Sequence, residues 1–335
     1  MAKVYVTSCE TTPEGWRAQE MKLRGLWELS DKKHSLTEDP DLADVILICD
    51  ARFENYSIKI RSHPLLKVYP TKCFILSNLD KPNYFNRGVI TSAEKAVSNF
   101  NRFRSCSYTA YYDPYHNPFI RNHSFTQSEP SKEYLISFWG RLSHPLRKAI
   151  FELKFIRKDI EIKDTTSLYD LWAGTTSTDL QEAYYNTMLR SKFALCPRGF
   201  GVNSIRLFEA MKLGIAPIIV SDDLILPLGP KWVDFCILIK EKNIANLESI
   251  VERFESKYQE MGRLAKMNFE LYFDEKVYFN YVVDCVNDIK RSQKIPEVVF
   301  QKINITLIAG IRLFNFLKSH RSFTNVFKLL KFRAS

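Results

Sequence analysis

Residues 191–239 read SKFALCPRGFGVNSIRLFEAMKLGIAPIIVSDDLILPLGPKWVDFCILI, a pattern that predicts strand, tight loop, helix and second strand in succession. Phe193 to Cys196 is a short apolar run, and Pro197, Gly199 and Gly201 then break the backbone, so the chain must turn sharply. Asn203 or Ser204 is the N-cap candidate of the following helix. Its Ile205, Phe208, Ala210 and Met211 are the expected core contacts before Gly214 stops it. Ile215 to Val220 then reads as a buried strand. A glycine-interrupted turn ahead of a helix N-terminus offers free N–H groups and about half a positive charge, which suits a phosphate. Arg198 and Arg206 add full charges. Arg206 and Glu209 stand three apart and share one helix face; as a mere surface ion pair they would contribute only about 0.2–0.5 kcal/mol.

Outward from this unit the chain keeps alternating strands and helices. Val4–Thr7, Asp44–Cys49, Cys73–Leu76 and Gly88–Thr91 are strand candidates, and Ala18–Ser30 is a helix candidate. The segment from Phe100 to Phe119 is crowded with aromatics and broken by Pro114 and Pro118, so an irregular course is expected there. The polar, aperiodic stretch 127–132 predicts a linker. With 335 residues, 45% of them hydrophobic, the chain is long enough for two cores. The expected fold class is therefore α/β, with two Rossmann-like, doubly wound domains facing across a cleft: 1–130, 131–296, and a basic helical tail over 297–335.

Two stretches of this chain resemble the exostosin family of glycosyltransferases. The first is Leu195-Cys196-Pro197-Arg198-Gly199, Asn203-Ser204, Arg206, Glu209-Ala210, Gly214, Ala216-Pro217-Ile218, Asp222 and Leu226-Pro227. The second is Tyr134-Leu135-Ile136-Ser137-Phe138-Trp139-Gly140-Arg141 with His144 to Arg147 after it. The resemblance is strongest over 134–239, and the Gly-Arg-Asp-His element of many members is absent. It implies the two-domain architecture called GT-B, a UDP-sugar donor, a saccharide or lipid-linked saccharide acceptor, and inversion at the anomeric carbon. Gly140, Arg141, Arg198, Gly199, Asn203, Ser204, Arg206 and Glu209 become the donor-binding candidates, Glu209 for the ribose hydroxyls and the arginines for the diphosphate.

Such a displacement needs cationic stabilisation of the departing diphosphate and a base for the acceptor proton. The arginines and helix amides are expected to serve the first need in place of a metal, and no cofactor is expected. The lone Asp-x-Asp triplet, Asp39-Pro40-Asp41, sits in an apparent turn, where caps explain it better than metal binding. Asp50, at a strand's carboxyl end, and His63 are the leading base candidates, with Asp113 and His116 behind them. Tyr112, Tyr115 and His116 in the aromatic segment are acceptor-platform candidates, because aromatic faces pack on sugar rings; ordinary core packing is the alternative.

The seven cysteines are widely spaced with no C-x-x-C pair, which fits reduced, buried thiols and no structural zinc. Lys3-Val4-Tyr5-Val6 reads as a strand rather than a secretory signal, and no run approaches the roughly 20 apolar residues of a membrane span. Since eukaryotic exostosins generally carry an N-terminal anchor, a bacterial-type cytoplasmic enzyme is expected. Of the net charge of +10, seven positive charges lie after Glu297 with no acidic residue among them. Leu307, Ile311, Phe314 and Leu317 recur there at helical spacing, so an anionic membrane surface at the inner face of the plasma membrane is an expected contact, against a helix packed back on the protein. Nucleic acid is not an expected partner. Competing functional readings are a GDP-sugar-dependent, fucosyltransferase-like enzyme and a non-catalytic glycan- or nucleotide-binding relative.

Overall fold

A computed structural model of the chain describes residues 1–8, 18–49, 63–81, 84–110, 116–125, 130–168 and 177–302. Two wholly parallel sheets organise them. The first contains β1 (Lys3–Ser8), β2 (Ser35–Leu36), β3 (Val45–Cys49), β4 (Cys73–Ser77), β5 (Gly88–Ile90) and β6 (Phe103–Ser105), in the order β2-β1-β3-β4-β5-β6. The second contains β7 (Tyr134–Gly140), β8 (Ile160–Asp164), β9 (Ser191–Pro197), β10 (Ala216–Val220) and β11 (Ile237–Ile239), in the order β11-β10-β9-β7-β8. Counted from its own first strand, the first sheet runs 2-1-3-4-5-6 and the second 2-1-3-4-5, a doubly wound order that reverses between the first and third strands. The expected α/β class with two Rossmann-like, doubly wound halves is what the chain adopts.

The physical cause is legible in the strands. Val45–Cys49, Cys73–Ser77 and Ala216–Val220 are buried at every position. A strand covered by helices on both faces needs an unbroken apolar run rather than alternation. Gly214 takes φ +68 and ends the helix Ile205–Lys212 in the left-handed region that a side chain disfavours. The six described cysteines are all buried and free.

One strand departs from expectation. Phe103–Ser105, within the segment read as irregular, pairs in parallel with β5 as the sheet edge. Its neighbourhood lacks an apolar run because Arg102 and Arg104 are buried there, and their charges are met from the far end of the chain. Arg102 Nη2 pairs with Glu297 at 2.8 Å and Arg104 Nε with Asp288 at 2.6 Å. The helix Glu275–Ser292 accordingly returns to the first half: Tyr278 donates its hydroxyl to the Ser107 carbonyl at 2.7 Å, and His34 Nε2 lies 3.2 Å from Asp284. The short helix Glu297–Lys302 follows, while residues 303–335 lie outside the described residues. Among the described residues no helix is long and apolar enough to cross a membrane.

The halves are also tied at their facing edges. Lys95 N donates to Asp223 O at 2.7 Å and Ile225 N to Ala93 O at 2.9 Å, around an antiparallel bridge between Glu94 and Leu224.

Candidate functional site

The second sheet reverses its winding between β7 and β9, and a doubly wound sheet opens its ligand crevice at the carboxyl ends of such a strand pair. Gly140 and Arg141 leave β7 there, and Arg198 and Gly199 leave β9. The helix Pro145–Glu152 begins beside them because His144 caps it, accepting Leu146 N–H on Nδ1 at 3.2 Å, with Pro145 in the first turn. That start places Arg147 between the two strand ends. Its guanidinium donates to the carbonyls of Arg198 (2.9 Å), Arg141 (3.2 Å) and Pro197 (3.2 Å). Burial, then the neighbouring Arg206, pull this guanidinium down to about 9. Gly199 makes room for it, since a Cβ there would meet Arg147 Nη2 and Ser143 Oγ at 3.1 Å, and Gly140 makes room for the Phe138 ring, which a Cβ would meet at 2.6 Å.

Ser204 is the N-cap of the helix Ile205–Lys212, with extended backbone, but its side chain makes no capping bond. Asn203 instead bridges the halves, donating Nδ2 to the Thr91 carbonyl at 2.7 Å while Oδ1 accepts Ser204 N–H at 2.8 Å. Arg206 donates to the Trp139 carbonyl and lies over the Phe138 and Tyr184 rings, 4.7 and 5.5 Å from their centroids. Glu209 accepts the Tyr184 hydroxyl at 2.7 Å; burial raises its carboxyl, against the opposing pull of Tyr184 and Arg206. Tyr184, from the helix Thr178–Leu189, thus meets both residues of the helix face read from the sequence. Arg198 reaches Asp223 at 3.5 Å and Glu241 at 3.8 Å, both longer than a hydrogen bond, and its buried Nε makes none.

Three arginines, at 147, 198 and 206, therefore gather at one strand-end crevice beside an uncapped helix start, where Arg141 also leaves β7. Arg141 is half-buried. His144 stands among them, and burial followed by Arg198 and Arg147 lower its imidazole to about 4.

The remaining sequence candidates distribute differently. His116 lines the same cleft as Glu209, together with Tyr108, Asn117 and Phe208, so an acceptor candidate and a donor candidate do come together. His63 serves the fold instead: its Nδ1 caps the helix Pro64–Val68 by accepting Leu65 N–H at 3.3 Å, and the ring also bonds the Ser8 backbone. Asp50, Tyr112, Asp113 and Tyr115 lie outside the described residues. In the Asp-x-Asp triplet, Asp39 Oδ1 closes a turn by accepting Asp41 N–H at 2.9 Å, and Asp41 accepts the Tyr69 hydroxyl in a contact between distant segments. Among the described residues no group of three or more His, Cys, Asp or Glu side chains is arranged to hold a metal ion.

Sequence reasoning missed Arg147, Tyr184, Thr91 and Asp80, of which the last, on the loop after β4, faces Gly201 across the crevice. Only Arg147 carried a signal, as an arginine in the first turn of a helix starting at a strand end.

Residues 69–254, more than half of the chain, match the family model described as the Exostosin GT47 domain. The match extends back through β4, β5 and β6, beyond the stretches that carry the resemblance in sequence. A protein of Oryza sativa subsp. japonica named "Probable glucuronosyltransferase GUT1" is 36% identical over 77 residues, 22% of this chain and 18% of that protein. "Probable beta-1,4-xylosyltransferase IRX10" of Arabidopsis thaliana is 38% identical over 77 residues, 22% of this chain and 19% of that protein. The matched chain thus spans less than a fifth of these relatives' length. Among solved structures, an alpha1,3-fucosyltransferase aligns with TM-score 0.40 at 12% identity over 88% of this chain and 92% of that one. Acinetobacter baumannii MurG aligns with TM-score 0.29 at 8% identity over 80% and 98%.

Proposed function

Because the chain belongs to the exostosin GT47 family, we propose that it is an inverting, metal-independent glycosyltransferase, moving a monosaccharide from a UDP-sugar to a saccharide acceptor. The observation that carries this reading is Arg198. It is a largely buried guanidinium with an unbonded Nε and only long ion pairs, set beside an uncapped helix start and within a cluster of arginines. A buried charge so loosely compensated is ready for an anion. The diphosphate would replace Asp223 and Glu241 on Arg198, take hydrogen bonds from the first-turn amides, and leave with its charge stabilised. Glu209, hydrogen-bonded by Tyr184 on the next turn, would accept the ribose hydroxyls. Arg147 would hold the two loops at fixed separation, and His144, kept neutral, would not compete for the phosphate.

The names of the plant relatives make UDP-glucuronate and UDP-xylose the first donors to try, and we infer cell-surface polysaccharide synthesis as the setting. The basic segment after Glu297 supports a peripheral association with an anionic membrane, at the cytoplasmic face. The test is release of UDP from a panel of UDP-sugars with oligosaccharide acceptors, in chelator and then with Mn²⁺. Acceptor-dependent UDP release in chelator, abolished by Arg206→Ala, is the expected result. Preference for GDP-sugars would replace the donor class, and strict dependence on Mn²⁺ would remove the metal-independent mechanism.

A further inference from the structure

The loop leaving the carboxyl end of β4, in the first sheet, brings Asp80 against the glycine loop of the second half. A Cβ on Gly201 would lie 2.7 Å from Asp80 Oδ1, 3.1 Å from Asp80 Cα and 2.4 Å from Ser92 Oγ. No side chain fits there, and the bare Gly201 backbone lies directly against the Asp80 carboxylate. Two residues along, Asn203 holds the Thr91 carbonyl, so the approach is fixed at both ends of the loop.

Asp80 is also open to solvent, and among the described residues no salt bridge engages it. The charged groups facing it are Arg147, from the helix Pro145–Glu152, and its own neighbour Lys81. This carboxylate is thus reachable from outside, packed against the bare backbone of Gly201, and set on the wall opposite the loop Arg198–Ser204. His63, by contrast, has its ring committed to the fold.

We propose that Asp80 is the general base of the transfer, a catalytic role that rests on the transferase reading above. The acceptor hydroxyl oxygen forms a bond to the anomeric carbon while the bond from that carbon to the donor's diphosphate oxygen breaks. The electron pair departs with the diphosphate, and the hydroxyl proton passes to the Asp80 carboxylate. Inversion requires nucleophile and leaving group on opposite sides of the sugar. A base on the first half and phosphate-binding groups on the second supply that opposition.

The test uses the full chain with a donor and acceptor that the wild type turns over. Asp80→Asn is expected to lower kcat by about 10²–10⁴-fold while UDP affinity measured by calorimetry stays unchanged, the range ordinary for removal of a general base. The acidic limb of the kcat–pH profile should vanish in Asp80→Asn and persist in Asp80→Glu, which should recover part of the rate. Wild-type kcat in Asp80→Asn overturns the assignment. So does equal loss of kcat and of UDP binding in both variants, which marks a contact that merely shapes the loop. A wild type that binds UDP yet turns over no donor in any combination overturns the transferase reading first, and the assignment of Asp80 with it.

Discussion

Arg147 Nε donates to the carbonyl of Arg198 at 2.9 Å, and through the same guanidinium the end of β7 is fastened to the end of β9. Lysine cannot substitute for this fork, because an ammonium on a flexible stem lacks the planar set of donors that meets three carbonyls at once. Arg147→Lys should therefore lower unfolding free energy by about 2–4 kcal/mol, since hydrogen bonds to a charged group contribute about 1.5–3 kcal/mol each. UDP affinity should fall with it. Urea denaturation at neutral pH reads the first effect and calorimetry the second; an unchanged midpoint would show that the carbonyls find other donors.

Asn203 is expected to matter for closure of the two halves. Replacing it by Ala leaves the Thr91 carbonyl without its partner across the cleft and should destabilise by about 1–3 kcal/mol. Small-angle scattering should show a larger radius of gyration for this variant, and an unchanged radius would mean that the Ala93–Ile225 and Lys95–Asp223 bonds alone set the closure.

How far the sequence announces this arrangement depends on the range of the cause. β3, β4 and β10 are legible because burial on both faces demands continuous apolar runs, and the helix stop at Gly214 is legible because its φ of +68 is a local requirement. β6 is not, since Arg102 and Arg104 stand where apolar residues would be expected, and their compensating carboxylates lie nearly two hundred positions away. The place of Asn203 is equally non-local, since its amide donates to the Thr91 carbonyl of the other half. Asp80 carried no local signal at all; its place is defined only by the missing side chain of Gly201.

The His144 cap gives stability an acid limit. Its folded pKa, about 4, lies below the ordinary histidine value near 6.5, so between these pH values the unfolded chain binds a proton that the folded chain excludes. Stability is then full above about pH 6.5, falls as pH drops through this window, and levels off below about 4, a loss of about 1 kcal/mol once solvent screening of the partly exposed ring is allowed for. His144→Asn keeps a capping oxygen without a titrating group and should flatten that slope in thermal melts taken across the window. An identical slope in the variant would assign it to other groups.

Glu297 neutralises a guanidinium that is only 1% exposed, and Phe300 covers that guanidinium at 3.5 Å from the ring centroid. Glu297→Ala strands Arg102 as a buried charge and should cost about 3–5 kcal/mol, whereas Glu297→Leu combined with Arg102→Met should recover most of it. Thermal unfolding distinguishes the two; equal losses in both variants would show that Glu297 acts through packing rather than charge.

Occupation of the crevice between β7 and β9 by a nucleoside diphosphate, held through arginines and Glu209, is read by calorimetric titration of the purified chain with UDP and GDP. The titration is run in chelator, with Arg198→Ala and Glu209→Ala alongside. UDP binding in chelator that is lost in both folded variants is the predicted result. Binding that survives both substitutions, or no nucleotide binding by the folded wild-type chain with or without Mn²⁺, would contradict it.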